Sequence, residues 1–386
     1  TIGSNHNSRA NDGEIRAGRG FWPGLSVTLK HSSRFASFVI IAKGDYPYEL
    51  NISLPFSLVN HNAREDRLEV MPAYFWMYNL YALERNSWKA ADRDKRTVKV
   101  QHIETDYLAP DTAEEIIVAL AQIEGWLEAA GAASSIGTAL PAQAVERPGD
   151  HAGDEDPEYA YTGENGDEIP APGLERHKRP AVLLKPRKAW TAYREMLRYY
   201  AVKTLIAYLE AAPEKGFSQM LEELEAGGGA SAAERLTDWV NLGGQIVPAF
   251  RVDELRSRIR DGKIQTWEAV HRAYEEFHRA YPLDRARHAL GVLRYLSLKP
   301  ADVHAFIGEL DCVLETRRRI VCQVYRSRAK DFDDPFRSIT YRNKREMDQV
   351  AGKIEDNFFV TLTKKDLARF EETVRALKER LTRNGL

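Results

Sequence analysis

Ser26-Val27-Thr28-Leu29, Phe38-Val39-Ile40-Ile41 and Asn51-Ile52-Ser53-Leu54 are short β-type runs, rich in branched residues and set between turn formers. Around them apolar residues recur every six positions, at Ile15, Phe21 and Val27; the register skips Ser33 and resumes at Val39. Six-residue spacing is the pattern of a hexapeptide β-helix, where each flat face takes one hexad and turns one apolar side chain inward. A β-sandwich fragment would give similar strands, and the pattern over residues 1–70 favours the β-helix only by a small margin.

Beyond residue 70 the character changes. Pro72 suits a first helical turn. Ala73-Tyr74-Phe75-Trp76-Met77-Tyr78-Asn79-Leu80-Tyr81-Ala82-Leu83 follows, with bulky residues on every side. This predicts a helix over 73–88, buried all round or held in a subunit interface. Asp92-Arg93-Asp94-Lys95-Arg96 closes it. Asp111 reads as the N-cap of a second helix with Ile116, Leu120, Ile123 and Leu127 as its stripe. Residues 131–175, rich in Gly, Ala, Pro and acids, predict a disordered insert that is mobile and dispensable for folding. Ala181-Val182-Leu183-Leu184 predicts a short strand. Helices are predicted over 187–211, 231–241, 251–261, 266–280, 284–297, 301–330, 343–352 and 364–383. In the last, Leu367, Phe370, Val374, Leu377 and Leu381 form a coiled-coil-like seam. The expected organisation is 1–70 as the last coils of a β-helix, 71–130 as a helical segment packed on it, 131–175 as the insert and 176–386 as a helical domain.

Lys plus Arg number 55 against 57 acids in 386 residues, a balance with no global pull toward nucleic acid or anionic lipid. No apolar run reaches membrane-spanning length and no secretory leader is visible. Cys312 and Cys322 lie on one predicted helix, about 15 Å apart and out of disulfide reach, which fits a reducing, cytoplasmic setting. The chain opens on Thr1 rather than Met, so it is expected to be a fragment of a longer protein.

The residues that suggest chemistry are His6-Asn7-Ser8-Arg9, His31-Ser32-Ser33-Arg34 and His61-Asn62-Ala63-Arg64, three units of the form His-x-x-Arg. Converging on one edge, Arg9, Arg34 and Arg64 would hold a small anion such as a phosphate or carboxylate, and His6, His31 or His61 would act as general base. Turn chemistry alone accounts for such residues too. The basic cluster Arg176, His177, Lys178, Arg179, Lys185, Arg187 and Lys188 would grip phosphate or the acidic insert, or form a solvated face. Arg317-Arg318-Arg319 with Arg326, Arg328 and Lys330 reads as a set of intramolecular ion pairs, and too few aromatics accompany it for nucleic acid. His271 and His278 read as surface or packing residues. No metal site and no cofactor is identifiable.

Gly13-Glu14-Ile15-Arg16-Ala17-Gly18-Arg19-Gly20-Phe21-Trp22-Pro23-Gly24, Leu29-Lys30-His31, Ala42-Lys43-Gly44-Asp45-Tyr46-Pro47 and Val70-Met71-Pro72-Ala73-Tyr74 resemble an uncharacterised bacterial family. So do Asn79-Leu80-Tyr81-Ala82-Leu83, Glu104-Thr105-Asp106-Tyr107-Leu108-Ala109-Pro110-Asp111 and Asn241-Leu242-Gly243-Gly244-Gln245. The resemblance implies a fold of mixed β and α: the end of a left-handed parallel β-helix with hexapeptide repeats, followed by a mostly helical C-terminal region. It transfers no catalytic residue. Fold-level analogy then suggests a transferase of acyl or sugar-nucleotide type, with a nucleotide sugar or acyl-CoA as the anionic ligand and a homo-oligomer, a trimer, as the assembly. The alternative is a non-catalytic oligomeric scaffold or protein-interaction module.

Overall fold

Strands in the first seventy residues are short because the backbone keeps turning. Ser26, Ser32, Phe38, Phe56 and Asp66 take left-handed conformations, with φ between 46° and 61°, and a left-handed residue ends an extended run. The strands left between the turns are β1 (Ile2–Asn5), β2 (Arg16–Ala17), β3 (Trp22–Pro23), β4 (Val27–Lys30), β5 (Arg34–Phe35), β6 (Ile40–Ile41), β7 (Gly44–Tyr46), β8 (Asn51–Ile52), β9 (Leu58–Asn62) and β10 (Arg67–Met71). Then come helices α1 (Tyr74–Tyr78), α2 (Leu80–Asp92) and α3 (Pro110–Ala129), strands β11 (Glu168–Pro170) and β12 (Ala181–Leu184), and helices α4 (Pro186–Ala211) and α5 (Phe217–Ala226). A hairpin of β13 (Trp239–Leu242) and β14 (Gln245–Pro248) precedes α6 (Ala249–Arg260), α7 (Trp267–Tyr295), α8 (Val303–Asp333), α9 (Pro335–Ser338), α10 (Lys344–Ala351) and α11 (Phe358–Asn384). The computed structural model describes residues 2–5, 13–131, 167–226, 235–298 and 303–384. Most of the acidic insert expected at 131–175 lies outside them. Its last residues form β11 and the buried Ala171 and Leu174.

The chain divides into two compact units, one of Thr1–Asn79 and Thr112–Met196, the other of Leu80–Asp111 and Leu197–Leu386. In the first, β1-β4-β7 and β2-β5-β8 are small parallel sheets, and a mixed sheet runs β11-β12-β10-β9-β6-β3. These findings correct the expectation of a left-handed parallel β-helix: the strands are divided among several small sheets, and no left-handed β-helix or solenoid is evident. The mixed sheet shows where the period misleads. β9 folds back antiparallel onto β10, and β12 joins β10 from far along the chain, pairing Ala181 with Leu68. Regular spacing records how often a side chain is buried, as at Val27, Ser33 and Val39, and not how strands are joined.

The core of this unit holds Leu29, Ile41, Ile52, Leu54, Phe56 and Val59, all fully buried. The helix predicted over 73–88 is interrupted at Asn79, whose φ of −138° and ψ of 44° leave helical space and separate α1 from α2. Trp76 on α1 is 1% exposed and donates its indole N–H to Glu195 at 2.8 Å. Tyr193 donates to the Pro55 carbonyl at 2.5 Å, and Glu115 on α3 accepts from the Ser37 amide at 2.9 Å.

In the second unit the helix predicted over 231–241 lies partly outside the described residues, and its described part, from 235, leads into the β13–β14 hairpin rather than a helix. Gly243 and Gly244 have φ of 63° and 108° and supply its two-residue turn. Pro282 does not divide α7. It removes one helical N–H, but Val270 and Ala273 before it and Ala286, Ala289, Leu290 and Leu293 after it are all buried, and this packing holds the helix together. Val374, Leu377 and Leu381 are buried in the seam of α11, which packs on α8 with Arg318–Glu371 at 2.8 Å and Lys378–Asp311 at 2.7 Å. Cys312 and Cys322 on α8 are free thiols. Among the described residues no helix is long and apolar enough to cross a membrane.

Candidate functional site

The first unit gathers its ionisable groups where segment 174–179 runs alongside residues 49–51, tied by Asn51 N–H to Leu174 O and Arg176 N–H to Glu49 O, both at 2.9 Å. Arg179 reaches inward from this segment. Its guanidinium donates to both carboxylate oxygens of Glu175, at 2.6 and 2.5 Å, with only 3% and 1% of the two side chains exposed. The remaining nitrogen donates to His61 Nε2 at 2.6 Å. A guanidinium has no lone pair to offer, so Nε2 is the acceptor and Nδ1 donates to the Asp45 carbonyl at 2.9 Å. The hydrogen bonds to Glu175 outweigh burial and keep the Arg179 pKa above its ordinary value. Arg179 also stands over the Tyr48 ring, which stacks on His177 at 3.8 Å.

Of the expected site residues, His6 and Arg9 lie outside the described residues. His31 follows β4 and is buried. Arg34 at the start of β5 and Arg64 in the β9–β10 turn are exposed. The guanidinium beside His61 is therefore that of Arg179, from the basic cluster, and not that of its own His-x-x-Arg unit. The rest of the basic cluster disperses: Arg187 pairs with Asp167 at 2.5 Å, and Lys185 and Lys188 approach the Tyr78 hydroxyl at 2.9 and 3.1 Å. Glu175 and Tyr48 gave no signal of their own, beyond the i, i+4 spacing of Glu175 and Arg179.

The second unit holds a larger cluster, and it joins two of the segments that carried the family resemblance. The loop after α2 crosses the β13–β14 turn, where the Glu104 amide donates to Gly244 O at 2.9 Å and Gln101 donates to Gly243 O. A Cβ on Gly244 would stand 3.1 Å from Ile103, so the turn is glycine both for its φ and for this close approach. Glu104 then accepts from Tyr281 at 2.6 Å and Arg285 at 3.2 Å. Asp106 accepts from Lys203 at 2.8 Å and Arg285 at 2.9 Å. Burial pushes the Asp106 carboxyl up, but the charges of Lys203 and Arg285 prevail and hold it well below the usual carboxylate range. Nearby, Glu84 accepts from Tyr107 at 2.6 Å and Arg317 at 2.8 Å. Arg318 pairs with Glu371 and Arg328 with Asp331, in keeping with the ion-pair reading of that helix. Tyr200 meets His288 Nδ1 at 2.9 Å, and burial raises its phenol far above its ordinary value.

Along the same loop, His102 Nε2 lies 2.9 Å from Glu275, and the His102 ring stacks on His278 with centroids 3.5 Å apart. His278 is thus a packing residue. No group of three or more His, Cys, Asp or Glu among the described residues could hold a metal ion. Two surface hollows, of about 550 Å³ at Lys378, Glu379, Thr382 and Arg383 and about 150 Å³ between α6 and α7, are lined by none of these cluster residues.

Residues 221–382 match a family described as a domain of unknown function (DUF6819). Over 370 residues, 95% of the chain, the sequence is 40% identical to an uncharacterized protein of Treponema pallidum (strain Nichols), and the chain spans 48% of that protein's length. No solved structure matches. These similarities support an uncharacterised family bearing a domain of unknown function, and they attach no activity to it.

Proposed function

We propose that this chain, with its domain of unknown function over 221–382, is a non-catalytic interaction module that associates with a second copy of itself through the stretch that runs from α9 through α10 to the start of α11. One observation carries the reading: Phe336, Ile339, Val350 and Phe358 are 80%, 74%, 69% and 66% exposed, all within one short stretch of that domain. Together they offer on the order of 500 Å² of apolar surface, over half of one partner's share of a standard interface. Between Asp334 and Phe358 there are five cationic and five acidic residues. That balance of signs suits a self-complementary contact better than a strongly charged partner.

The polar clusters support the same reading. Both ring nitrogens of His61 are engaged, and Arg179 already has its carboxylate. A transferase would instead need these groups open to an anionic substrate. The test is mass in solution by light scattering, for the chain as it is and for F336D/I339D and V350D/F358D. The expected result is a species heavier than one 43.9 kDa chain that reverts to one chain in both variants. A single-chain mass at every concentration overturns the proposal. So does saturable binding of a nucleotide sugar or acyl-CoA that Arg34→Ala abolishes, which would favour the transferase.

A further inference from the structure

We propose that residues 97–103 form an acid-released strap: protonation of His278, stacked on His102, lifts the strap from α7 and uncovers the Gly243–Gly244 turn. The strap reads Thr97-Val98-Lys99-Val100-Gln101-His102-Ile103 and belongs to no helix or strand. Val98, Val100 and Ile103 are half or more exposed. Its connections beyond the loop are the Gln101 bond to Gly243, the packing of Ile103 on Gly244, and His102 on α7. At its end the Glu104 amide donates to Gly244 O at 2.9 Å, and from there the side chains of Glu104 and Asp106 fasten the loop to Tyr281, Arg285 and Lys203.

The stack is the titratable part of this attachment. Two imidazoles lie face to face at 3.5 Å with an interplanar angle of 4°. Glu275 on α7 accepts from His102 and compensates one positive charge, not two. Part of that carboxylate is shared with Arg279 at 3.4 Å. From the strap side, Asp94 is occupied by Arg96 at 2.8 Å and Lys99 at 3.5 Å, and Glu104 by Tyr281 and Arg285. The Asn241–Gln245 turn brings no ionisable side chain. A proton on His278 therefore finds no carboxylate that is not already engaged.

The sign follows from linkage. Burial, and then the nearby His102, lower the His278 pKa in the docked state. The undocked state binds more protons. Docking is complete above the ordinary histidine value near pH 6.5 and weakens as pH falls below it, by up to about tenfold per pH unit for one histidine.

Hydrogen exchange of the full chain, corrected for the intrinsic pH dependence, provides the test. Protection of the Glu104 amide, which ends the strap on Gly244 O, should fall by roughly tenfold or more between about pH 7.5 and about pH 5, while the Asp106 and Leu108 amides, bonded to the Glu104 and Asp106 carboxylates, stay protected. His278→Phe keeps a flat ring in the stack without a proton and should hold protection at both pH values. His102→Phe serves the same purpose should the first variant fold poorly. Glu275→Gln removes the compensating charge and should move release to higher pH. Equal protection of the wild-type Glu104 amide at both pH values overturns the proposal, as does continued acid release in both phenylalanine variants.

Discussion

Arg285 binds Glu104, Asp106 and the Leu108 carbonyl at once, and its removal tests whether this cluster holds the second unit together. Arg285→Met keeps much of the side-chain volume and deletes the charge. The side chains of Arg285, Glu104 and Asp106 are 17%, 11% and 22% exposed, which places the pairs in the buried regime rather than the weakly coupled surface one. Losing one partner of a buried pair costs about 3–5 kcal/mol, because the other is left uncompensated. For a unit of about 220 residues, that corresponds to a drop in Tm of roughly 6–20 °C. Calorimetry reads the shift. A cycle with Glu104→Gln reads the coupling, which should exceed about 0.5 kcal/mol for groups in one network. Arg285→Met melting within about 1 kcal/mol of the parent, or strict additivity with Glu104→Gln, would refute the assignment of this cluster as the clamp.

Three further outcomes are expected. The depressed Asp106 carboxyl stabilises the fold fully above its unfolded value near pH 4 and loses that contribution as pH falls below it; Asp106→Asn should therefore be less stable at neutral pH and lose less on acidification, as read by denaturant titration from about pH 7 to about pH 2.5. Trp76→Ala empties a fully buried site and removes one donor to Glu195, for about 3–5 kcal/mol, and a denaturant midpoint close to that of the parent would place Trp76 outside the core. Gly244→Ala forces φ of 108° on an L-residue and drives its Cβ toward Ile103, so it should cost about 1–3 kcal/mol; a neutral effect on melting would mean that the strap does not lie on the turn.

Local features were legible in the sequence where one residue type has one physical consequence. Ala181–Leu184 is the strand its branched run predicted, and in the expected seam of α11 Val374, Leu377 and Leu381 are buried while Leu367 and Phe370 are half-buried. Gly243-Gly244 announces a turn, although a helical pattern upstream concealed that turn's hairpin. The N-terminal spacing of Ile15, Phe21 and Val27 carried too little information to fix how strands connect, since the next strands along the chain, β9 and β10, pair antiparallel. The clusters were the least legible part. Glu104 meets Arg285 and Glu84 meets Arg317 across long stretches of chain, and an isolated charge has no periodicity that marks its partner. His61 was singled out by its resemblance to His31 and His6, yet its neighbour is Arg179, which stood in a different motif.

The second unit is discontinuous: residues 80–111 are complete only with residues 197–386. During synthesis, Glu104 and Asp106 leave the ribosome long before Arg285 is made. At ordinary elongation rates the delay is roughly 10–35 s. Throughout it the two carboxylates lack the Arg285 guanidinium, and until residues 239–248 are made the loop that carries them has no hairpin turn to rest on. A nascent chain stalled within α6 would thus display the loop in a solvated, protease-sensitive form. Closure of the unit is timed by translation of α7, with loop-closure entropy to overcome only after that helix is available.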